Sequence, residues 1–207
     1  MARIRTSGFE EQREAILAQA ARLFAQRGYP ATSMNQVAEA CGLSKPTLYH
    51  YYKDKYALLV SIAEGHVAKL EGLVNDVAAA GLPAEARLRE LIRRFVEEYA
   101  HAKDAHRVLT EDVRFLVEED RERVLEKERR LVEGFAQVLG EMRPELGGAG
   151  LSKPLTMLLF GMINWMFTWL RPDGVLDHEA MAPIVADLFL GGVPAVRAPV
   201  TSLPDHP

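Results

Sequence analysis

Apolar residues recur at spacings of three and four along almost the whole chain, and nowhere does an alternating pattern persist long enough to make a strand. That periodicity predicts an all-α fold of about nine helices, punctuated by glycine and proline. In the first segment Ile16, Leu17, Ala20, Ala21 and Phe24 share one helical face, with a capping box expected at Ser7 and Glu10 and a stop at Gly28. Ser33 with Gln36 makes a second capping box, opening a two-turn helix through Met34, Val37, Ala38 and Cys41 that Gly42 ends. Ser44 caps a third short helix, which carries Pro46 in its first turn, where a missing N–H costs nothing, and runs to about Tyr51. Asp54 opens a long helix through Leu58, Leu59, Ile62, Val67, Leu70 and Val74, closed by Gly81-Leu82-Pro83. Five more helices are expected near Ala84 to Ala102, Asp104 to Phe115, Glu118 to Met142, Lys153 to Leu170 and His178 to Leu190.

This punctuation divides the chain into an N-terminal arm (1–8), a three-helix helix-turn-helix head (9–55), a helical body (56–191) and a tail (192–207). The arm is expected to be flexible and the proline-rich tail, which lacks a burial pattern, to be disordered. A hydrophobic content of 48% supports a real core. The longest apolar stretch, Leu155 to Leu170, is interrupted by Thr156, Gly161, Asn164 and Thr168 and falls short of the roughly 20 residues of a membrane span. Charges at Arg3, Arg5, Glu10 and Glu11 leave no secretory signal, so no membrane partner and a cytoplasmic location are expected. The single cysteine, Cys41, allows no internal disulfide and no thiolate cluster, and reads as a small buried hydrophobe.

Charge changes the picture, because the net value of -4 is unevenly spread. Residues 1–56 hold eight Lys/Arg against five Asp/Glu, and the remainder 17 against 24, which suits a nucleic-acid-binding head on an acidic body. Two short helices joined by a glycine-containing turn, the second bearing Lys, Thr, Tyr and His, fit a recognition helix lying in the major groove of double-stranded DNA. Its first turn faces base edges: Lys45 and Thr47 read bases and Pro46 meets a thymine methyl group. Tyr49, His50, Tyr51 and Lys55, further along, are expected on phosphates, together with Thr32, Ser33 and Asn35 from the start of the preceding helix. Arg3 and Arg5 on the arm are candidates for a minor groove, and Leu48 and Tyr52 are expected in the core.

Catalysis finds no apparatus. His101, Asp104 and His106 are the best cluster, with Asp177-His178 second, but histidines five apart point to different helical faces. Neither a phosphate loop nor a nucleophile elbow is present, so no enzyme activity, metal or resident cofactor is expected.

The run Gly42-Leu43-Ser44-Lys45-Pro46-Thr47-Leu48-Tyr49-His50-Tyr51-Tyr52-Lys53-Asp54-Lys55, preceded by Ala21-x-x-Phe24 and Gly28-Tyr29, resembles the TetR family of repressors over residues 13–65. The resemblance implies a homodimer whose two heads enter successive major grooves, roughly 34 to 36 Å apart, at a palindromic operator. It also makes the body a ligand-binding and dimerisation domain, in which a small-molecule effector changes the head spacing and releases DNA.

A second segment, Leu159 to Gly174, contains both tryptophans. It reads either as a dimerisation helix or as a pocket wall in which Asn164 orients a polar ligand group. Gly161-x-x-Asn164-Trp165 and Trp169-x-Arg171-Pro172-x-Gly174, with Leu109 to Leu116 and Lys127 to Arg130, are similar to a branch of the family that senses acyl-CoA thioesters. That similarity implies a phenylacetyl-CoA or fatty acyl-CoA effector. Arg93, Arg94, Arg114 and Arg171 are then candidates for the phosphates, and Phe115, Asn164, Trp165 and Trp169 for the acyl group. A multidrug- or lipophile-responsive repressor with the same head is the alternative.

Overall fold

The structure is a computed structural model that describes residues 2–170, 174 and 176–197, apart from the side chains of residues 2–7 and Phe167. Among the described residues there are ten α-helices and no strand. They are α1 (Ala2–Arg27), α2 (Met34–Ala40), α3 (Lys45–Tyr51), α4 (Lys55–Ala79), α5 (Ala84–His101), α6 (Lys103–Glu111), α7 (Glu118–Met142), α8 (Pro144–Gly148), α9 (Ser152–Trp169) and α10 (His178–Gly192). Two 3-10 turns, Val113–Phe115 and Val193–Ala195, follow α6 and α10.

The helix starts follow local chemistry. The Ser33 hydroxyl accepts the Gln36 N–H while the Gln36 side chain accepts the Ser33 N–H, so both orphan donors at the start of α2 are satisfied. At the other end Gly42 sits at φ 64°, and Leu43 and Gly42 donate back to the Ala38 and Glu39 carbonyls at 2.9 and 3.0 Å. This Schellman closure needs a residue that tolerates the left-handed region. Ser44 accepts the Thr47 N–H at 3.2 Å to start α3, and Asp54 accepts the Ala57 N–H at 2.7 Å to start α4.

Four expectations are corrected. Helix α1 begins at Ala2 and runs straight through Ser7 and Gly8, so 2–8 is helix rather than an arm and Ser7 is not its cap. The glycine-rich stretch after Met142 forms the short helix α8, which buries Leu146. Residues 192–197 are not a disordered tail: the Val193–Ala195 turn buries Val193, whose carbonyl accepts Arg143 at 2.9 Å. Residues 198–207 lie outside the described residues. Finally, Cys41 is half-buried at the end of α2 rather than fully enclosed.

The chain divides into two compact units, one of Met1–Glu71 and His101–Arg129, the other of Gly72–Ala100 and Arg130–Pro207. The division runs through α4 and α7 rather than at residue 55, because α6 packs against α1. In the first unit Ile16, Ala20, Phe24, Val37, Leu48 and Leu58 are essentially solvent-free. The core of the second contains an aromatic trio: Phe135 lies 4.9 Å from both Phe95 and Phe160, centroid to centroid. Gly134 on α7 marks a close crossing with α4, since a Cβ there would stand 2.5 Å from the Val74 Cγ1.

Candidate functional site

Helix α3 is anchored by Leu48, which is fully buried, and by Tyr52 just after its end. With that side turned inward, Lys45, Pro46, Thr47, Tyr49 and His50 are exposed together. The Lys45 ammonium lies 5.9 Å from the Tyr49 ring centroid, so the two form a cationic and aromatic pair on the outer surface. Ser44 and Thr47 share a hydrogen bond of 2.7 Å between their hydroxyls, which fixes the Thr47 rotamer in the first turn. His50 and Tyr51 meet Phe9 of α1, the Phe9 and Tyr51 rings stacking at 4.8 Å and His50 standing edge-on at 6.2 Å. Tyr51 is therefore half-buried and shared between the outer surface and α1. Ser33 and Asn35 are exposed beside the start of α2, with the Ser33 hydroxyl engaged in its capping box.

Two residues expected on phosphates serve the fold instead. Thr32 is buried, and its hydroxyl donates to the Gly28 carbonyl at 3.0 Å, closing the turn between α1 and α2. The Lys55 ammonium donates to the Tyr29 and Pro30 carbonyls at 2.8 and 3.2 Å and lies 4.4 Å over the Tyr29 ring. Partial burial lowers its pKa. Tyr29, which the sequence marks only as part of a motif, is thereby the residue on which the turn is organised. Its partner Lys55 lies 26 residues away, beyond the reach of any local pattern.

The effector candidates do not converge. Arg93 and Arg94 both engage Glu90 at 2.7 Å, Arg93 also reaches Glu97 at 2.9 Å, and the Arg93 hydrogen bond foremost holds the Glu90 carboxyl down at about 2. These guanidinium groups already have carboxylates. Arg114 is exposed and lies 4.9 Å over the ring of its neighbour Phe115. Phe115 packs against Tyr29 at 5.4 Å, so it belongs with the head turn rather than with an acyl group. On α9 the Asn164 Oδ1 is buried without a hydrogen-bond partner, whereas Trp165 and Trp169 are 65% and 52% exposed. Arg171 lies outside the described residues. His106 is buried beside His66, with ring nitrogens 3.3 Å apart, while His101 is exposed, so the suspected histidine cluster is not one site.

Two surface features stand out, the first on the helix expected to be a dimerisation helix or a pocket wall. Met157, Leu158, Trp165, Trp169, Ile184 and Leu188 of α9 and α10 line an open apolar trough of about 540 Å³. A second cleft, of about 310 Å³, lies among α4, α5 and α7, with Val74, Val77, Leu91 and Val138 on its walls and Arg87 and Arg130 beside them. No helix among the described residues is long and apolar enough to cross a membrane.

Residues 16–62 match the family model described as bacterial regulatory proteins, tetR family, and residues 81–193 match the tetracyclin repressor-like C-terminal domain. The chain is 32% identical over 194 residues to the HTH-type transcriptional repressor KstR2 of Rhodococcus jostii (strain RHA1), covering 91% of this chain and 94% of that one. A TetR-family transcriptional regulator from Bordetella parapertussis 12822 superposes with a TM-score of 0.82 at 34% identity, over 89% of this chain and 97% of that one. AibR, solved in complex with isovaleryl coenzyme A and operator DNA, superposes with a TM-score of 0.73 at 25% identity, over 86% and 97% of the two chains.

Proposed function

Because the chain belongs to the TetR family, whose members are DNA-binding transcription regulators and not enzymes, we propose that it is a cytoplasmic repressor released from a palindromic operator by an acyl-CoA thioester. The observation that carries the DNA half is the face of α3: five adjacent exposed residues, Lys45 to Thr47 with Tyr49 and His50, on a helix locked by its Ser44 cap and by buried Leu48. The first turn reads base edges and the Tyr49 and His50 donors hold phosphates. KstR2 is named as a repressor, which supports the direction of regulation.

The effector half is supported by the likeness to AibR, which binds isovaleryl coenzyme A. In this chain the cleft among α4, α5 and α7 offers such a ligand one set of apolar walls, whereas the residues expected from the sequence do not converge. Its apolar walls can take an acyl group, and Arg87, which pairs with Glu141, and Arg130 stand at its rim. The homodimer reading rests on the α9/α10 trough. Exposed Trp165, Trp169, Leu158 and Leu188 form the kind of contiguous apolar patch that a two-fold interface covers.

One experiment tests the effector: thermal-shift titration with isovaleryl-CoA, phenylacetyl-CoA, lauroyl-CoA, the free acids and CoA, paired with release from a duplex selected out of a random library by the protein itself. A thioester that raises Tm and releases DNA supports the proposal. No shift with any thioester overturns the acyl-CoA reading, and a response to uncharged lipophiles instead puts the multidrug reading in its place. For the dimer, Trp165→Glu is expected to give a folded monomer in sedimentation velocity.

A further inference from the structure

The turn between α1 and α2 is held by residues more than 80 positions further along the chain. The Tyr29 ring stands edge-on to Phe24 at 5.3 Å and lies against Phe115 at 5.4 Å. The carboxylate of Asp112, a residue only 6% exposed, lies beside the Tyr29 backbone N–H. Burial pushes the Asp112 carboxyl upward, and Glu111 beside it adds to the effect. A second tie lies alongside: the Tyr56 hydroxyl donates to Asp120 at 2.5 Å and accepts the Val117 N–H at 3.0 Å. The segment 112–117, which joins α6 to α7, and the first turn of α7 thus hold both the Tyr29 turn and the start of α4.

From Tyr29 the contacts continue to the recognition helix. The Tyr29 carbonyl accepts the Thr32 N–H at 3.3 Å, Thr32 is pinned to Gly28, the next residue is the Ser33 cap of α2, and α2 packs on α3. Tilting the Tyr29 turn therefore tilts α2 and with it the face of α3. The Phe115 ring contact and the Asp112 carboxylate beside Tyr29 act at the root of this chain, where a small displacement is carried through short, capped helices with little slack.

We propose that Asp112 and Phe115 are positioning residues for operator binding: they hold the Tyr29 turn so that α3 presents Lys45 and Thr47 at the angle the major groove requires. Neither residue lies on the DNA-reading helix, and the role is independent of what the effector is.

The test is a four-variant set assayed for affinity toward a duplex selected from a random library by the wild-type protein, with dimer state and helix content as controls. Asp112→Ala removes the carboxylate beside the Tyr29 N–H, and Phe115→Ala removes the ring contact. Each is expected to weaken DNA binding by about tenfold, the scale of one lost polar or ring contact. Asp112→Asn keeps an oxygen for the same N–H without a buried charge, and is expected to stay within about threefold of wild type. Phe115→Leu preserves bulk and is expected to fall between.

Hydrogen exchange supplies a readout that general destabilisation does not move. The amides of residues 29–36 are expected to exchange faster in the two alanine variants, while those of α9 keep their protection. DNA affinity within twofold of wild type in both alanine variants overturns the proposal, and so does an Asp112→Asn variant as weak as Asp112→Ala. If Asp112→Ala does not fold, the Phe115 pair and Asp112→Asn decide the matter on the same criteria.

Discussion

Replacing Lys55 by methionine separates a structural lysine from a phosphate-binding one. The side chain keeps its length and apolar stem but loses the ammonium that donates to the Tyr29 and Pro30 carbonyls and lies over the Tyr29 ring. The bond to Tyr29 at 2.8 Å is partly buried and charge-assisted, worth about 1.5–2 kcal/mol, whereas the one to Pro30 is exposed and worth little. The stacked ammonium adds about 0.5–1 kcal/mol at such a partly exposed position. Lys55→Met is therefore expected to destabilise the head by about 2–3 kcal/mol, a fall in Tm of about 4–12 °C for a chain of this size. The salt dependence of DNA binding, measured well below Tm, should keep its slope, because no phosphate contact is lost. Had Lys55 held a phosphate in each head, the slope of log K against log salt would drop by about 1.8 for two heads, with Tm nearly unchanged. A reduced slope with unaltered Tm would refute the structural assignment.

Other outcomes follow from the same geometry. Lys45→Ala and Tyr49→Phe are expected to weaken binding to the selected duplex without changing the dimer on gel filtration, because both side chains project from the outside of α3. Gly134→Ala sets a helix-propensity gain of about 1 kcal/mol against overpacking of about 1–3 kcal/mol at Val74, so a net loss in denaturant stability is expected, recovered when Val74→Ala is added. Burial holds the His66 and His106 imidazoles below their ordinary value of 6.5, so on acidification the unfolded chain takes up protons before the folded one does. Stability present above pH 6.5 is then lost progressively as the pH falls below it, and His66→Leu should flatten that part of a Tm-against-pH curve.

The elements of the head were legible because their causes are local. Ser33 with Gln36, Ser44 with Thr47 and Asp54 with Ala57 each act over three residues, so these three caps form as read from the sequence, whereas Ser7 lies inside α1 and caps nothing. The alternation that buries Leu48 and Tyr52 while exposing Lys45, Thr47, Tyr49 and His50 is likewise a property of one helix. The pairing of Arg93 and Arg94 with Glu90 and Glu97 also sat at helical spacings of three and four.

Other assignments depended on contacts that no local spacing contains. Lys55 and Thr32 have the chemistry of phosphate contacts, and only the carbonyls brought to them by the turn after α1 made them structural. Phe115 looked like a pocket residue until tertiary packing set it on Tyr29, 86 positions earlier. On α9 the limit is of another kind. Leu155, Leu159, Ile163 and Met166 are buried, while Leu158, Trp165 and Trp169 stand exposed, so the helix is apolar on both sides. By itself the sequence determined a DNA-reading head on a helical body, because capping and periodicity are written within a few residues. The tertiary structure decided which apolar face the protein keeps for itself and which it leaves open, because hydrophobic burial is non-directional and follows whichever neighbour the fold supplies.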